Sequence, residues 1–285
     1  QSLHLIQSPF IFLIREIDNK YIYKQIKISK VMSAPKTTNK TIEGFQTIIL
    51  DYNCDGGKKH EVVFYFLHGL GAEATQFSDI AKLLMSNCPI LKDRPTRFVL
   101  PQANQLSGMD TVGWFMLDQM GLMMAMMGGE QAQAAKLRET PMHMVETRNK
   151  LINVFNETAE GVPVNKWFIG GFSMGATMTC EISSRLNGKL GGMLVCSGIP
   201  LNVTMWAEGL AKLKSTKCLL LHGKNDPMIP VMVSGWTQYL LSNSGLNVLY
   251  HLHNGGHDLG SQMEMMKIVS FVQEQITEVV VEKKA

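Results

Sequence analysis

Residues 62–67 read VVFYFL, six apolar side chains without a polar interruption, and the run stops at His68-Gly69. A strand with one wet face alternates apolar and polar residues. An unbroken run of strand length has to be covered on both faces, which is the situation in a parallel sheet flanked by helices. Similar runs recur in TRFVLPQA from Thr96, KWFIGG from Lys166, GGMLVCSG from Gly191, KCLLLHG from Lys217 and NVLYHLH from Asn247. FQTIILDY from Phe45 reads as an earlier strand, parted from residues 62–67 by the turn-like NCDGGKKH.

Helical patterns lie between these runs. Thr140 and Pro141 resemble an N-cap and first-turn proline for a helix running toward Ala159 and ending near Gly161. Met174, Met178, Ile182 and Leu186 fall on one helical face, and that helix should end near Asn187 and Gly188. Ser261 and Glu264 have capping-box spacing for a last helix reaching the VVVEKKA tail. Alternating strands and helices imply an α/β chain whose mostly parallel central sheet carries helices on both faces. There is no linker and no internal repeat, so residues 32–285 are expected to form a single domain.

Residues 1–31 look different, rich in Ile, Lys, Gln, Phe and Tyr, and MSAPKTTNK from Met32 would make a natural start. They read as a non-native or disordered leader. LHLIQSPFIFLI lacks the charged lead-in and the small-residue cleavage site of a signal peptide. The leader also carries the whole formal charge of +3, through Arg15, Lys20, Lys24, Lys27 and Lys30 against Glu16 and Asp18. The remainder is neutral, which gives no electrostatic case for nucleic acid. The five cysteines are scattered, mostly within apolar runs, and suit buried thiols in a reducing, cytoplasmic setting.

The chemistry is concentrated where the run WFIGGF meets SMGATM. Gly171-Phe172-Ser173-Met174-Gly175 is a GxSxG pattern between an expected strand and an expected helix. A chain reversing this sharply needs the smallest residues two before and two after the serine, and the turn lifts the hydroxyl clear of the sheet edge. A serine hydroxyl needs a base to take its proton, and the base needs a carboxylate to orient it. Asp226, in LLLHGKNDPMIP, and His257, in HNGGHDLG, follow in that order, each just past a buried strand. Asp258, Asp110 and Asp118 are weaker candidates for the carboxylate, and His222, His251 and His253 read as strand residues. Two N–H donors are needed for the negative oxygen of a tetrahedral intermediate. Met174, first in its helix, and Leu70, in the HGLG turn, are the expected donors.

Together FLHGLGAEATQF, GGFSMGATM, HGKNDPMIP and GGHDL resemble the acyl-protein thioesterase and phospholipase/carboxylesterase family of α/β-hydrolases, over about Val62 to Val272. The resemblance implies a Ser173, Asp226 and His257 triad, Leu70 and Met174 as oxyanion donors, and Trp114 and Met228 as lining residues. It implies hydrolysis, without a cofactor, of acyl esters or thioesters, from S-acylated (palmitoylated) proteins or lysophospholipids. Transient contact with a membrane surface would follow from such substrates. Many members have glutamine where this chain has Met174. The chain also departs after GWFMLD, where Met116, Met120, Met123, Met124, Met126 and Met127 crowd a segment that is more polar in relatives. Methionine is flexible and polarizable, so this segment reads either as an adaptable acyl wall or lid or as a buried core helix.

Two rival functions have sequence support. HLHNGGHD gathers His251, His253, His257 and Asp258, which would suit a zinc metallohydrolase. A catalytically silent, lipid-binding protein of the same shape is the other.

Overall fold

The computed structural model describes residues 34–281, so the expected leader at 1–31 lies outside the described residues. The strands are β1 (Lys36–Ile42), β2 (Phe45–Tyr52), β3 (Val62–Leu67), β4 (Thr96–Pro101), β5 (Trp167–Phe172), β6 (Gly192–Cys196), β7 (Lys217–Gly223) and β8 (Asn247–His253). They form one sheet in the order β1-β2-β4-β3-β5-β6-β7-β8. Pairing is parallel from β4 through β8, and β1 and β2 add an antiparallel edge. The seven strands expected from apolar runs are β2 to β8. β1 was not among them, because KTTNKTI is polar and mostly exposed. It is held by its hairpin with β2, in which Ile42 faces Phe45 across a turn whose Glu43 and Gly44 both have positive φ.

The helices are α1 (Phe77–Asn87), α2 (Gln119–Met127), α3 (Glu130–Arg138), α4 (Met144–Ala159), α5 (Met174–Ser183), α6 (Val203–Leu210), α7 (Val231–Asn243) and α8 (Gln262–Val281). The period-2 alternation of a strand explains why VVFYFL is apolar throughout. Val63, Tyr65 and Leu67 enter one core with residues of α4, α5 and α6. Val62, Phe64 and Phe66 enter a second core with residues of α1 and α8. Tyr65 adds a polar anchor, its hydroxyl donating to the Phe155 carbonyl at 2.8 Å while the two rings stack.

Two helices differ from their sequence patterns. α4 begins at Met144 rather than at Pro141, because His143 takes a left-handed backbone (φ 68°) and Met116 N–H holds the Met142 carbonyl in the preceding loop. Thr140 Oγ1 donates instead to Asn202 Oδ1 at 3.1 Å. α5 is buried on every side and stops at Ser183, short of Gly188. Its one charge, Glu181, is fully buried and satisfied by Arg148 Nη1 at 2.7 Å, Trp206 Nε1 at 2.7 Å and Asn202 Nδ2 at 3.1 Å. A buried carboxylate persists only with such partners. The capping box of α8 forms, with Ser261 N–H donating to Glu264 Oε2 at 2.8 Å and Met263 N–H to Ser261 Oγ at 3.2 Å.

Candidate active site

The centre of the sheet delivers Ser173 to a corner. β5 ends at Phe172 and α5 starts at Met174, so Ser173 alone makes the reversal, with φ 56° and ψ −120°. That is costly for a non-glycine residue and is held by its surroundings. Ser173 N–H donates to the Cys196 carbonyl of β6 at 2.8 Å. The flanking glycines are sterically required. A Cβ on Gly171 would lie 2.4 Å from the Gly175 backbone, and one on Gly175 would lie 1.9 Å from the Leu67 carbonyl.

The loops after β7 and β8 bring the other two side chains to the same edge. His257 Nε2 lies 2.9 Å from Ser173 Oγ, and His257 Nδ1 lies 2.7 Å from Asp226 Oδ2. Asp226 Oδ1 accepts the N–H groups of Met228 and Ile229, both at 2.8 Å. Burial works against its charge, but the hydrogen bonds from His257 and from Ile229 and Met228 outweigh that, and its pKa lies below the ordinary aspartate value. Asp258, the neighbour of His257, is used differently. It accepts Gly256 N–H at 3.2 Å and Gly260 N–H at 2.7 Å, and so shapes the loop that carries the imidazole. His222 is buried and donates through Nε2 to the Ile229 carbonyl at 2.9 Å, bracing the aspartate loop.

Leu70 and Met174 are the backbone donors expected at this corner. Among the described residues neither N–H has a hydrogen-bond partner in the protein. For Met174 the reason is its place at the helix start, where the positive end of the helix dipole also lies. For Leu70 the turn is fixed around it, with Gly71 N–H donating to the Val112 carbonyl at 2.8 Å and Ala72 N–H to the Gly69 carbonyl at 3.3 Å. Leu70 and Met174 both line the cavity that opens on Ser173.

His68 holds that turn, a role the sequence did not reveal. Its Nδ1 donates to the Gly69 carbonyl at 2.7 Å, and its Nε2 accepts Ala103 N–H at 3.0 Å. Burial pushes its pKa down to about 4, so the ring is neutral and keeps one donor and one acceptor. The available signal was a histidine ending a fully apolar strand immediately before a glycine turn.

Trp114 corrects an expectation. It does not line the cavity but sits behind its wall, 1% exposed, with its indole Nε1 donating to the His68 carbonyl at 2.7 Å. An indole donor that is fully buried needs an acceptor, and the turn carbonyl provides it. Met228 does line the cavity.

The cavity has a volume of about 410 Å³ and runs from Ser173, Leu70 and His257 to an apolar wall of Met120, Met123 and Met126 on α2. Of the two alternatives for the methionine segment, the buried core helix is overturned, since α2 forms an exposed apolar wall of this cavity. Ala125 alone in α2 is buried, whereas Met120 is 61%, Met123 47%, Met124 65% and Met127 83% exposed. Asp118 caps α2 through Gly121 N–H at 2.9 Å and holds Lys136 of α3 at 2.6 Å.

The histidine cluster of the rival metallohydrolase reading does not assemble. His251 turns to Glu264 at 3.4 Å, His253 Nδ1 accepts Gly255 N–H at 3.1 Å, and His257 engages Asp226. Among the described residues no three His, Cys, Asp or Glu side chains converge as a metal set.

Residues 53–276 match the family described as Phospholipase/Carboxylesterase. The chain belongs to this phospholipase/carboxylesterase family. Its members include relatives at modest identity. The acyl-protein thioesterase 1 of Gibberella zeae is 24% identical over 228 residues, covering 76% of this chain and 92% of that protein. The acyl-protein thioesterase 1 of Candida albicans is 26% identical, covering 76% and 93%. Among solved structures, esterase PE8 superposes with a TM-score of 0.61 at 19% identity, covering 86% of this chain and 99% of that one. Arabidopsis thaliana SOBER1 superposes with a TM-score of 0.57 at 19% identity, covering 75% and 99%. These likenesses show the α/β-hydrolase fold, and family membership makes the chain a serine ester hydrolase.

Proposed function

We propose that Ser173 is the nucleophile, His257 its general base and Asp226 the group that orients the imidazole, in an enzyme that removes long acyl groups from esters or thioesters. The observation that carries this reading is the Asp226, His257 and Ser173 series at 2.7 and 2.9 Å, opening on an apolar cavity. A ring nitrogen at that distance from the hydroxyl is within proton-transfer reach. Ser173 Oγ attacks the acyl carbonyl as its proton passes to His257 Nε2. The negative oxygen is received by the N–H groups of Leu70 and Met174. The protonated imidazole returns its proton to the departing thiol or alcohol, and water activated by the same ring then releases the acid from the acyl-serine. Asp226, ionised across the neutral range, keeps the proton on Nδ1 and steadies the imidazolium.

The substrate class is S-acylated protein or lysophospholipid, with depalmitoylation favoured by the acyl-protein thioesterases among the relatives and by the apolar wall of the cavity. The five cysteines are free and four are buried, which supports a cytoplasmic, reducing compartment. No helix among the described residues is long and apolar enough to cross a membrane.

The test is hydrolysis of acyl thioesters from acetyl to palmitoyl, with Ser173→Ala as the blank and a fluorophosphonate as the serine label. Serine-dependent rates that rise toward long chains, with labelling lost in the variant, are expected. Turnover retained by a folded Ser173→Ala protein would overturn the mechanism, and a short-chain preference would overturn the substrate class.

A further inference from the structure

Five of the nine residues of α2, QMGLMMAMM, are methionines, and they are in the wrong place for core methionines. Met144, Met178 and Met193 are fully buried, whereas Met120, Met123, Met124 and Met127 are about half exposed or more. Met120, Met123 and Met126 also line the acyl cavity, and Met228 meets them there from the Asp226 loop. Leucine would supply the same apolar wall with a comparable helix tendency and no reactive atom. What the thioethers add is chemistry that solvent can reach.

We propose that the cavity-lining methionines of α2 are a sulfoxidation site, and that a peroxide acting there abolishes long-acyl hydrolysis while leaving the serine machinery intact. This rests on the reading of the cavity as the acyl site. The step is balanced with hydrogen peroxide as oxidant. A sulfur lone pair attacks one peroxide oxygen, the O–O bond breaks as the S–O bond forms, and water leaves. The sulfur is oxidised by two electrons and the peroxide is reduced by two. The product is a polar sulfoxide in place of a flexible apolar thioether, and a wall of sulfoxides no longer solvates a hydrocarbon chain. Ser173, His257 and Asp226 carry no oxidisable sulfur. Met174, whose backbone serves the oxyanion site, is only 5% exposed, so it is shielded relative to α2. The five thiols are a separate population, and four of them are buried.

The experiment treats the full-length protein with hydrogen peroxide, removes it with catalase, and restores thiols with dithiothreitol. Each methionine is then followed by peptide mass spectrometry. Palmitoyl and acetyl thioester hydrolysis and fluorophosphonate labelling are measured on the same samples. Met120, Met123 and Met126 should oxidise well before Met144, Met178 and Met193. Palmitoyl hydrolysis should fall by about tenfold or more with their oxidation, as expected when polar groups replace an apolar lining, while acetyl hydrolysis and labelling change by less than about twofold. Methionine sulfoxide reductases should restore the palmitoyl rate in the same preparation.

The variant Met120→Leu/Met123→Leu/Met126→Leu, judged against its own untreated rate, should hold its palmitoyl hydrolysis through peroxide. A Met124→Leu/Met127→Leu protein should stay sensitive. If those three methionines oxidise and the palmitoyl-to-acetyl ratio does not move, the inference is overturned. It is also overturned if the triple variant is as sensitive as the parent, or, should that variant not fold, if the reductases fail to restore the parent's rate. Loss of labelling and of both activities together would place the damage at the serine and overturn it as well. Absence of serine-dependent turnover before any treatment would instead fault the underlying functional reading.

Discussion

Met174 Sδ accepts the backbone N–H of Trp114 at 3.3 Å, which ties the residue after the serine to the loop running toward α2. The Trp114 indole donates in turn to the His68 carbonyl, so the two turns that bear the expected oxyanion donors are fastened through one tryptophan. Met174→Ala removes a buried side chain and leaves that N–H without its acceptor, and should cost about 2–4 kcal/mol in urea unfolding. Met174→Gln, with an amide oxygen near the same position, should recover most of that loss. Equal losses for both variants would mean that the Trp114 contact contributes nothing beyond packing.

Asp226→Asn keeps the shape of the loop but can no longer accept the Nδ1 proton as an anion does. The imidazole is then free to adopt the wrong tautomer, and kcat should fall by about 10³- to 10⁴-fold with the thermal midpoint little changed. Steady-state rates at neutral pH alongside thermal melting check this. A loss below tenfold would remove Asp226 from the proposed mechanism.

Gly175→Ala should prevent folding, because its methyl group would meet the Leu67 carbonyl at 1.9 Å and neither backbone can retreat from the elbow. Gly235 of α7 is the contrast, with open space where a Cβ would go. Gly235→Ala should raise stability by about 0.5–1 kcal/mol. Soluble yield and circular dichroism decide the first case, and urea midpoints the second.

His68 binds a proton less readily in the folded chain than in the unfolded one, its pKa falling from 6.5 to about 4 through burial. The stability contributed by the neutral ring is therefore complete above about pH 6.5 and is lost as pH falls from there to about 4. His60 and His222, lowered first by burial as well, act in the same direction. Urea midpoints should be level from about pH 6.5 to 8 and drop below 6.5, His68 accounting for about 3 kcal/mol by pH 4. His68→Gln should be less stable at pH 7.5 yet show a shallower slope over that window. An unchanged slope would mean that His68 is not a source of the acid sensitivity.

Much of this protein was legible in its sequence for a physical reason. Runs such as VVFYFL must be buried on both faces, which specifies a covered parallel sheet, and β3 to β7 are buried as such runs require, whereas NVLYHLH forms β8 but stays largely exposed because it is the sheet's edge strand. The GGFSMG stretch needs its glycines for steric reasons that act within a few residues, so the elbow at Ser173 could be read locally. The spacing of Ser261 and Glu264 likewise encoded a local cap.

The rest depended on residues far apart in the chain. β1 is too polar to announce itself and exists because β2 offers a free edge. α4 starts late because the loop before it is held by Met116. Which aspartate meets His257, why Trp114 lies behind the wall rather than in it, and which side of the methionine helix meets the cavity are all set by loops converging from different strands. Such contacts carry no local periodicity. Local sterics and hydrophobic pattern therefore determined the sheet and the serine corner, and chain order marked Asp226 and His257 as candidates, whereas the contacts among these side chains and the apolar wall of the cavity were decided only when the folded sheet brought its loop ends together.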